Sequence, residues 1–298
     1  MRVLIAAEGM IPEVSPAQAA ANRPWPSGSC FCLLNVFNPY PFTAAPVFQE
    51  RLKEIVLHNL FVAAKTLQDV GWDTTVEICP GSARKGINKF AQEWRADLVM
   101  VGCNDLGDLG RLLLGSTAQA VVRHAPCSVE VARPRRGTGV SARQNGMKIL
   151  VATDGSEFSL SALRSVADRP WPPQSSVKVI SVPEFILFKD PSYLVTHEVK
   201  DLGKASIEDA KLSVAAGVRI LVGSELKVCS DVPVFEDRPY RVILREAETW
   251  EADMIVVGSH GRTGFDRIVM GSVAEAVALH AQCSVEVIRE QKSKGLEI

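Results

Sequence analysis

Five short apolar runs punctuate the second half of the chain: KILVAT (148–153), VKVISV (177–182), ELKVCS (225–230), DMIVVG (253–258) and SVEVI (284–288). Near-continuous Val, Ile and Leu over such lengths suits strands buried on both faces. Between them lie segments with helical spacing: SEFSLSALRSVADR, a long stretch around 194–218, PYRVILREAETW and SVAEAVALHA. Strand and helix in alternation predict a parallel sheet with crossover helices on both faces, a doubly wound α/β domain. The first half repeats this order, with KEIVLHNLFVAAKTL inside its long helix.

The repetition extends to residue identities. RVLIAAEG (2–9) aligns with KILVATDG (148–155) and RPWPSGS (23–29) with RPWPPQS (169–175), both at an offset of 146. WRADLVMVG (94–102) matches WEADMIVVG (250–258), and HAPCSVEV (124–131) matches HAQCSVEV (280–287), both at an offset of 156. The second copy therefore carries ten extra residues between Ser175 and Trp250, a single length difference in an otherwise duplicated domain. The predicted divisions are a first domain over 1–133, an exposed Arg- and Gly-rich linker over 134–146, a second domain over 147–290 and a charged tail over 291–298. At 298 residues, each domain is large enough to bury its own core.

Composition narrows the function classes. A formal net charge of −1 excludes a general binder of nucleic acid or membrane surface, which needs a strong charge excess. The seven cysteines are scattered without a CxxC pair, which suits a reduced compartment. Cys30, Cys32, Cys127 and Cys283 are expected to pack as small apolar groups. The apolar start MRVLIAA is too short for a signal peptide and no run approaches a bilayer span, so a cytoplasmic location is expected.

The chemistry concentrates after the fourth run. VGSHGRTGFDRIVMGS (257–272) places Gly258 at a strand end, Gly261 three residues on, and Gly271-Ser272 at the start of a helix. Ligands of open parallel sheets sit beyond the carboxyl ends of strands, and a helix N-terminus favours an anion such as phosphate. Ser272-Val-Ala-Glu275 also reads as a capping box, with Ser116-Thr-Ala-Gln119 its counterpart, so capping and ligand binding both remain open for the serine. The first strand of the same half ends Thr153-Asp154-Gly155-Ser156, where the carboxylate could cap the next helix or accept hydrogen bonds from a ribose or base.

Taken together, VATDGS, RPWPP, ADMIVVGSHG, the G-x2-G-x9-G-S frame and HAQCSVEVIR resemble the universal stress protein family, across essentially the whole chain as a tandem pair. The resemblance implies, in each half, a five-stranded parallel sheet between helices, of the adenine nucleotide α-hydrolase kind. It also implies ATP as ligand of the second half. Thr153 and Asp154 would meet the adenine and ribose, and Val182 and Val257 would wall the adenine. Gly258, His260 and Gly261 would line the phosphate path. Gly271, Ser272, Val273 and Ala274 would hold the phosphates, with Mg2+ bound through them. By the same resemblance the last strands, SVEVA (128–132) and SVEVI (284–288), would pair within the chain as a pseudo-dimer, their alternation suiting half-exposed edges. Further association into a homodimer is left open.

No P-loop, HExxH or nucleophile elbow is present, so a stress-response module that holds ATP with little or no turnover is expected. A nucleotide-independent scaffold and an ATP-cleaving enzyme of the α-hydrolase group are the alternatives. The first copy, VGCNDLGDLGRLLLGS, keeps the outer glycines and serine but departs inside. Glu8 stands for the aspartate, Met10 for the serine after glycine, Asn104 for the histidine and Asp105 for the second glycine. The N-terminal half is therefore not expected to hold ATP in the family manner.

Overall fold

In a computed structural model, residues 1–7, 16–37, 46–105, 112–133, 146–184, 197–235, 237–262 and 270–290 are described. The first half runs β1 (Arg2–Ala6), α1 (Pro16–Ala21), β2 (Cys30–Phe37), α2 (Pro46–Gln68), β3 (Asp73–Pro80), α3 (Ala83–Glu93), β4 (Leu98–Gly102), the two-residue strands β5 (Asn104–Asp105) and β6 (Leu112–Leu113), α4 (Ser116–His124) and β7 (Ser128–Ala132). The second half runs β8 (Lys148–Ala152), α5 (Glu157–Ala167), β9 (Ser176–Ile180), α6 (His197–Ile220), β10 (Lys227–Asp231), α7 (Pro239–Thr249), β11 (Met254–Gly258), α8 (Ser272–His280) and β12 (Ser284–Ile288). The linker expected over 134–146, apart from Gly146, and the tail over 291–298 lie outside the described residues.

Each half lays down five parallel strands in equivalent order, β3-β2-β1-β4-β7 and β10-β9-β8-β11-β12. The two sheets fuse into one of ten strands, because β7 and β12 pair antiparallel with Val285 opposite Val131, Glu286 opposite Glu130 and Val287 opposite Val129. These strands are not the half-exposed edges that their alternation suggested: every position in both is buried. The glutamates that break the apolar run meet arginines rather than water. Arg23 donates to Glu130 at 2.5 Å, and Arg169 binds Glu286 through both guanidinium nitrogens at 2.9 Å. Burial and the facing Glu286 push the Glu130 carboxyl up, while Arg23 pulls it down.

On one face of the sheet, α3, α4, α7 and α8 cover a core that crosses the seam, from Leu4 and Val129 to Val285 and Val277. On the other face the core divides in two, one part under α1 and α2 and one under α5 and α6. The seam is tied by a crossed pair of arginines that follow the last strands. Arg133 donates to the carbonyls of Ala278 at 2.6 Å and Cys283 at 3.2 Å, at the end of α8. Arg289 donates to the carbonyls of Val122 at 2.7 Å and Arg123 at 2.9 Å, and also to that of Ala125, at the end of α4. A guanidinium at a helix C-terminus satisfies orphan carbonyls and complements the dipole.

The ten extra residues of the second half are not one insertion. From the start of the second strand to the start of the long helix the halves run 30–46 against 176–197. From there to the next strand they run 46–73 against 197–227, and on to the next helix 73–83 against 227–239. The added length is thus spread over three connections and inserts no new element among the described residues.

Candidate functional site

The two halves differ most where β2 and β9 end. β2 continues through Asn35, Val36 and Phe37, which pair with Ile78, Cys79 and Pro80 of β3. At the equivalent positions the second half has Ser181, Val182 and Pro183, and β9 stops at Ile180. Proline has no N–H to give the ladder, so Pro183 cannot extend the pairing as a central-strand residue would. Val182, read from sequence as the end of the strand, therefore lies two residues beyond it. In the first half α3 packs on this spot so closely that a Cβ on Gly86 would meet Val36 Cγ1 at 2.7 Å. In the second half, Ser181 to Glu184 instead line a cavity of about 400 Å³ at the carboxyl ends of β8, β9 and β11.

All eleven residues selected from the sequence border this cavity: Thr153, Asp154, Val182, Val257, Gly258, His260, Gly261, Gly271, Ser272, Val273 and Ala274. Ser159, Glu184, Ser206, Asp209, Ile243 and Arg262 join them. Val182, Val257 and Ile243 make an apolar side; the polar groups gather at the loop after β8, at α6 and at the start of α8.

The loop after β8 is built by hydrogen bonds. The Thr153 hydroxyl lies 2.9 Å from the Ser159 hydroxyl and accepts the Gly155 N–H at 3.1 Å. Ser156 caps α5, accepting the Ser159 N–H at 3.3 Å. Asp154 does not cap that helix. One carboxylate oxygen accepts the Ser156 N–H at 3.0 Å and the other the Arg262 N–H at 2.9 Å, which joins the first strand's loop to the glycine frame. Burial pushes this carboxyl up. Hydrogen bonds from the Ser156 hydroxyl and amide, the Ser159 side chain and the Arg262 amide outweigh it and hold the group below the usual aspartate range.

Each glycine of the frame has its own reason. A Cβ on Gly258 would lie 2.6–2.8 Å from the backbone of Phe158 and Ser159, so this glycine serves the approach of β11 to α5. A Cβ on Gly261 would meet a carboxylate oxygen of Asp154 at 2.7 Å. Its requirement is space beside Asp154, since its φ is not in the left-handed region that glycine alone adopts freely. Gly271 donates to the Ser259 carbonyl at 2.8 Å and closes the frame onto α8.

Gly271, not Ser272, is the N-cap of α8, and no side chain caps the helix; the same holds for Gly115 and Ser116 at α4. The capping-box reading of both serines is thereby corrected. The glycine takes the extended cap conformation, which moves each serine into the first turn. The first intrahelical bond runs from the Glu275 N–H to the Gly271 carbonyl, which leaves the N–H groups of Ser272, Val273 and Ala274 without intrahelical acceptors beside the cavity. His260 packs against Phe158 with ring centroids 4.9 Å apart and the planes tilted by 47°, and its Nδ1 lies 3.0 Å from the Ser259 hydroxyl.

Arg262 and Asp209 escaped selection from the sequence. Asp209 lies in the middle of α6, away from the glycine frame and the strand ends in sequence, and carries no local signal. Arg262 directly follows Gly261 in the glycine frame but is neither a glycine nor a strand-end residue. In the first half, Asn104 and Asp105 pair with Leu113 and Leu112 in the β5–β6 ladder, so the chain after β4 closes on itself as a hairpin. Glu8 and Met10 lie outside the described residues. Among the described residues no group of His, Cys, Asp and Glu is placed to hold a metal, and no helix is long and apolar enough to cross a membrane.

Comparison with known proteins accords with this geometry. The profile of the Universal stress protein family matches residues 26–133 and 147–289. A universal stress protein of Mycolicibacterium smegmatis is 27% identical over 272 residues, covering 89% of this chain and 82% of its own. One from Mycobacterium tuberculosis is 32% identical over 200 residues, covering 65% of this chain and 62% of its own. A crystal structure of a universal stress protein from Archaeoglobus fulgidus superposes with a TM-score of 0.61 at 18% identity, covering 97% of this chain and 96% of that one. With its two repeats, its two matched segments and its shared topology, the chain belongs to the universal stress protein family as a tandem member.

Proposed function

We infer that the protein is an ATP-binding stress-response module whose C-terminal half holds the nucleotide and turns it over little or not at all. The observation that carries this reading is the convergence of eleven residues, chosen as a nucleotide site, on one cavity of about 400 Å³, the scale of small-ligand sites. Val182, Val257 and Ile243 suit an adenine face. Thr153 and Asp154 suit the polar edge of the base and the ribose. The outward N–H groups of Ser272, Val273 and Ala274, with the Ser272 hydroxyl unused by capping, suit phosphate oxygens. Mg2+ would be carried by the phosphates.

Slow turnover follows from the residues present. His260 packs against Phe158 and is hydrogen-bonded to Ser259, and the Asp154 carboxylate is taken up by the Ser156 and Arg262 amides, so both side chains are engaged within the frame rather than left for proton transfer. The test is calorimetric titration of the full chain with ATP, together with mass spectrometry of small molecules that co-purify with it. One nucleotide per chain is expected, held by the second half, with the first half, which carries Glu8 and Asp105, binding none. No binding, or two equivalents per chain, would overturn the reading.

A further inference from the structure

Arg262 stands one residue beyond Gly261 and connects three segments of the second half. Its backbone N–H donates to the Asp154 carboxylate at 2.9 Å, and its Nε donates to the Asp154 carbonyl. One terminal nitrogen is paired with Asp209, and the other donates to the Ser213 hydroxyl at 3.0 Å, both on α6. The Asp209 pairing leads in holding the guanidinium strongly protonated, with Asp154 and Glu184 adding to it.

This cation is aimed away from the start of α8 although its backbone lies beside it. A Cβ on Gly271, the cap of α8, would lie 3.8 Å from the Gly261 nitrogen. An anion held by the first turn of α8 would therefore sit next to the segment that carries Arg262. On the α6 side the cavity presents Asp209 and Glu184, two carboxylates that repel such an anion. The guanidinium and Asp209 are each about half exposed, so their ion pair is worth little against a competitor. Phosphate oxygens match the guanidinium fork at least as well as a carboxylate does.

We propose that Asp209 and Arg262 form a switch that reads the number of phosphates on the nucleotide: a polyphosphate competes with Asp209 for the guanidinium, and its success releases α6 from the glycine frame. The inference rests on the proposed nucleotide site. AMP reaches the start of α8 with little charge to spare, whereas ATP brings enough to draw Arg262 across. Release of α6 would loosen a helix that already exposes Leu202 and Leu212, so the phosphate count would be reported on the protein surface.

The test is titration of the full chain, and of Asp209→Asn and Arg262→Gln variants, with ATP, AMP and adenosine. Amide hydrogen exchange of α6 is followed in parallel. Asp209→Asn is expected to tighten ATP about three- to fivefold, to tighten AMP less and to leave adenosine unchanged. Arg262→Gln is expected to weaken ATP, to remove the gain of Asp209→Asn in the double variant, and to raise exchange across 197–220 without nucleotide. ATP, but not adenosine, should raise that exchange in the natural chain. Weaker ATP binding by Asp209→Asn, or an equal change for adenosine, would assign Asp209 to the nucleoside and overturn the switch alone. Failure of the natural chain to bind any of the three would overturn the nucleotide site and the switch together. If Arg262→Gln left α6 exchange unchanged, the tie itself would be refuted whatever binds.

Discussion

Glu130 and Glu286 stand directly opposite each other across the only antiparallel pairing in the ten-stranded sheet, each neutralised by an arginine of its own half. Both arginines come from the repeated RPWP segments, at Arg23 and Arg169. Like charges facing each other in a dry sheet are tolerable only while both are paired. Arg169→Met should therefore destabilise the protein by about 3–5 kcal/mol in chemical denaturation, and adding Glu286→Leu should recover most of that loss. A single variant as stable as the natural chain would show that the seam does not depend on the pair.

Serines 156 and 272 look alike in sequence and should behave differently. Ser156 caps α5 through its side chain, so Ser156→Ala should cost about 1 kcal/mol. Ser272 caps nothing, so Ser272→Ala should change stability by less than about 0.5 kcal/mol while weakening ATP. Paired thermal melts and titrations separate the two roles.

Gly261→Asp copies the residue at position 105 and sets a Cβ against the Asp154 carboxylate, with a second negative charge behind it. ATP affinity should fall at least about tenfold in calorimetry, a loss of roughly 1.4 kcal/mol. Gly261→Ala tests the steric part alone and should give a smaller loss. Equal affinity in Gly261→Asp and the natural chain would count against the site.

Acid should loosen the loop after β8. The folded Asp154 carboxyl titrates below its ordinary value of 3.8, so its contribution is complete above that value and is lost as pH falls through the lowered one. Asp154→Asn should be less stable than the natural chain at neutral pH, and the gap should close as pH falls through the lowered Asp154 value. Stability curves against pH for both chains check the sign.

The thiols should sort by burial. Burial leads in pushing Cys32 up to about 11 and Cys127 up to about 12, so both stay protonated and shielded at pH 8. Cys229, exposed on β10, should be alkylated first by iodoacetamide, read by mass spectrometry of the native protein.

Much of this architecture could be read from residue order, because five apolar runs at repeated spacing leave few alternatives for a parallel sheet. The eleven cavity residues came from the resemblance to the universal stress protein family, and they meet at one cavity because they lie at strand ends and a helix start. The last strands pair as expected, but their exposure was misread because alternation of glutamate with valine is also what a solvent-facing edge looks like. Only the distant Arg23 and Arg169 reveal the difference. The serine caps were misread because a glycine just upstream can take the cap conformation itself. The closed β2–β3 ladder and the open β9 differ where Pro183 and Pro233 stand just beyond the ends of neighbouring strands, a coincidence invisible locally. Asp209 was invisible because its role depends on how α6 lies across the sheet.

The crossed arginines give the duplication a mechanical meaning. Arg133 and Arg289 each lend hydrogen bonds to a helix end in the opposite half, so neither half carries all the donors it uses. Cutting the chain between 134 and 145 should yield fragments that stay together. The intact protein should melt in one cooperative transition, so damage to either half is felt at once by the other.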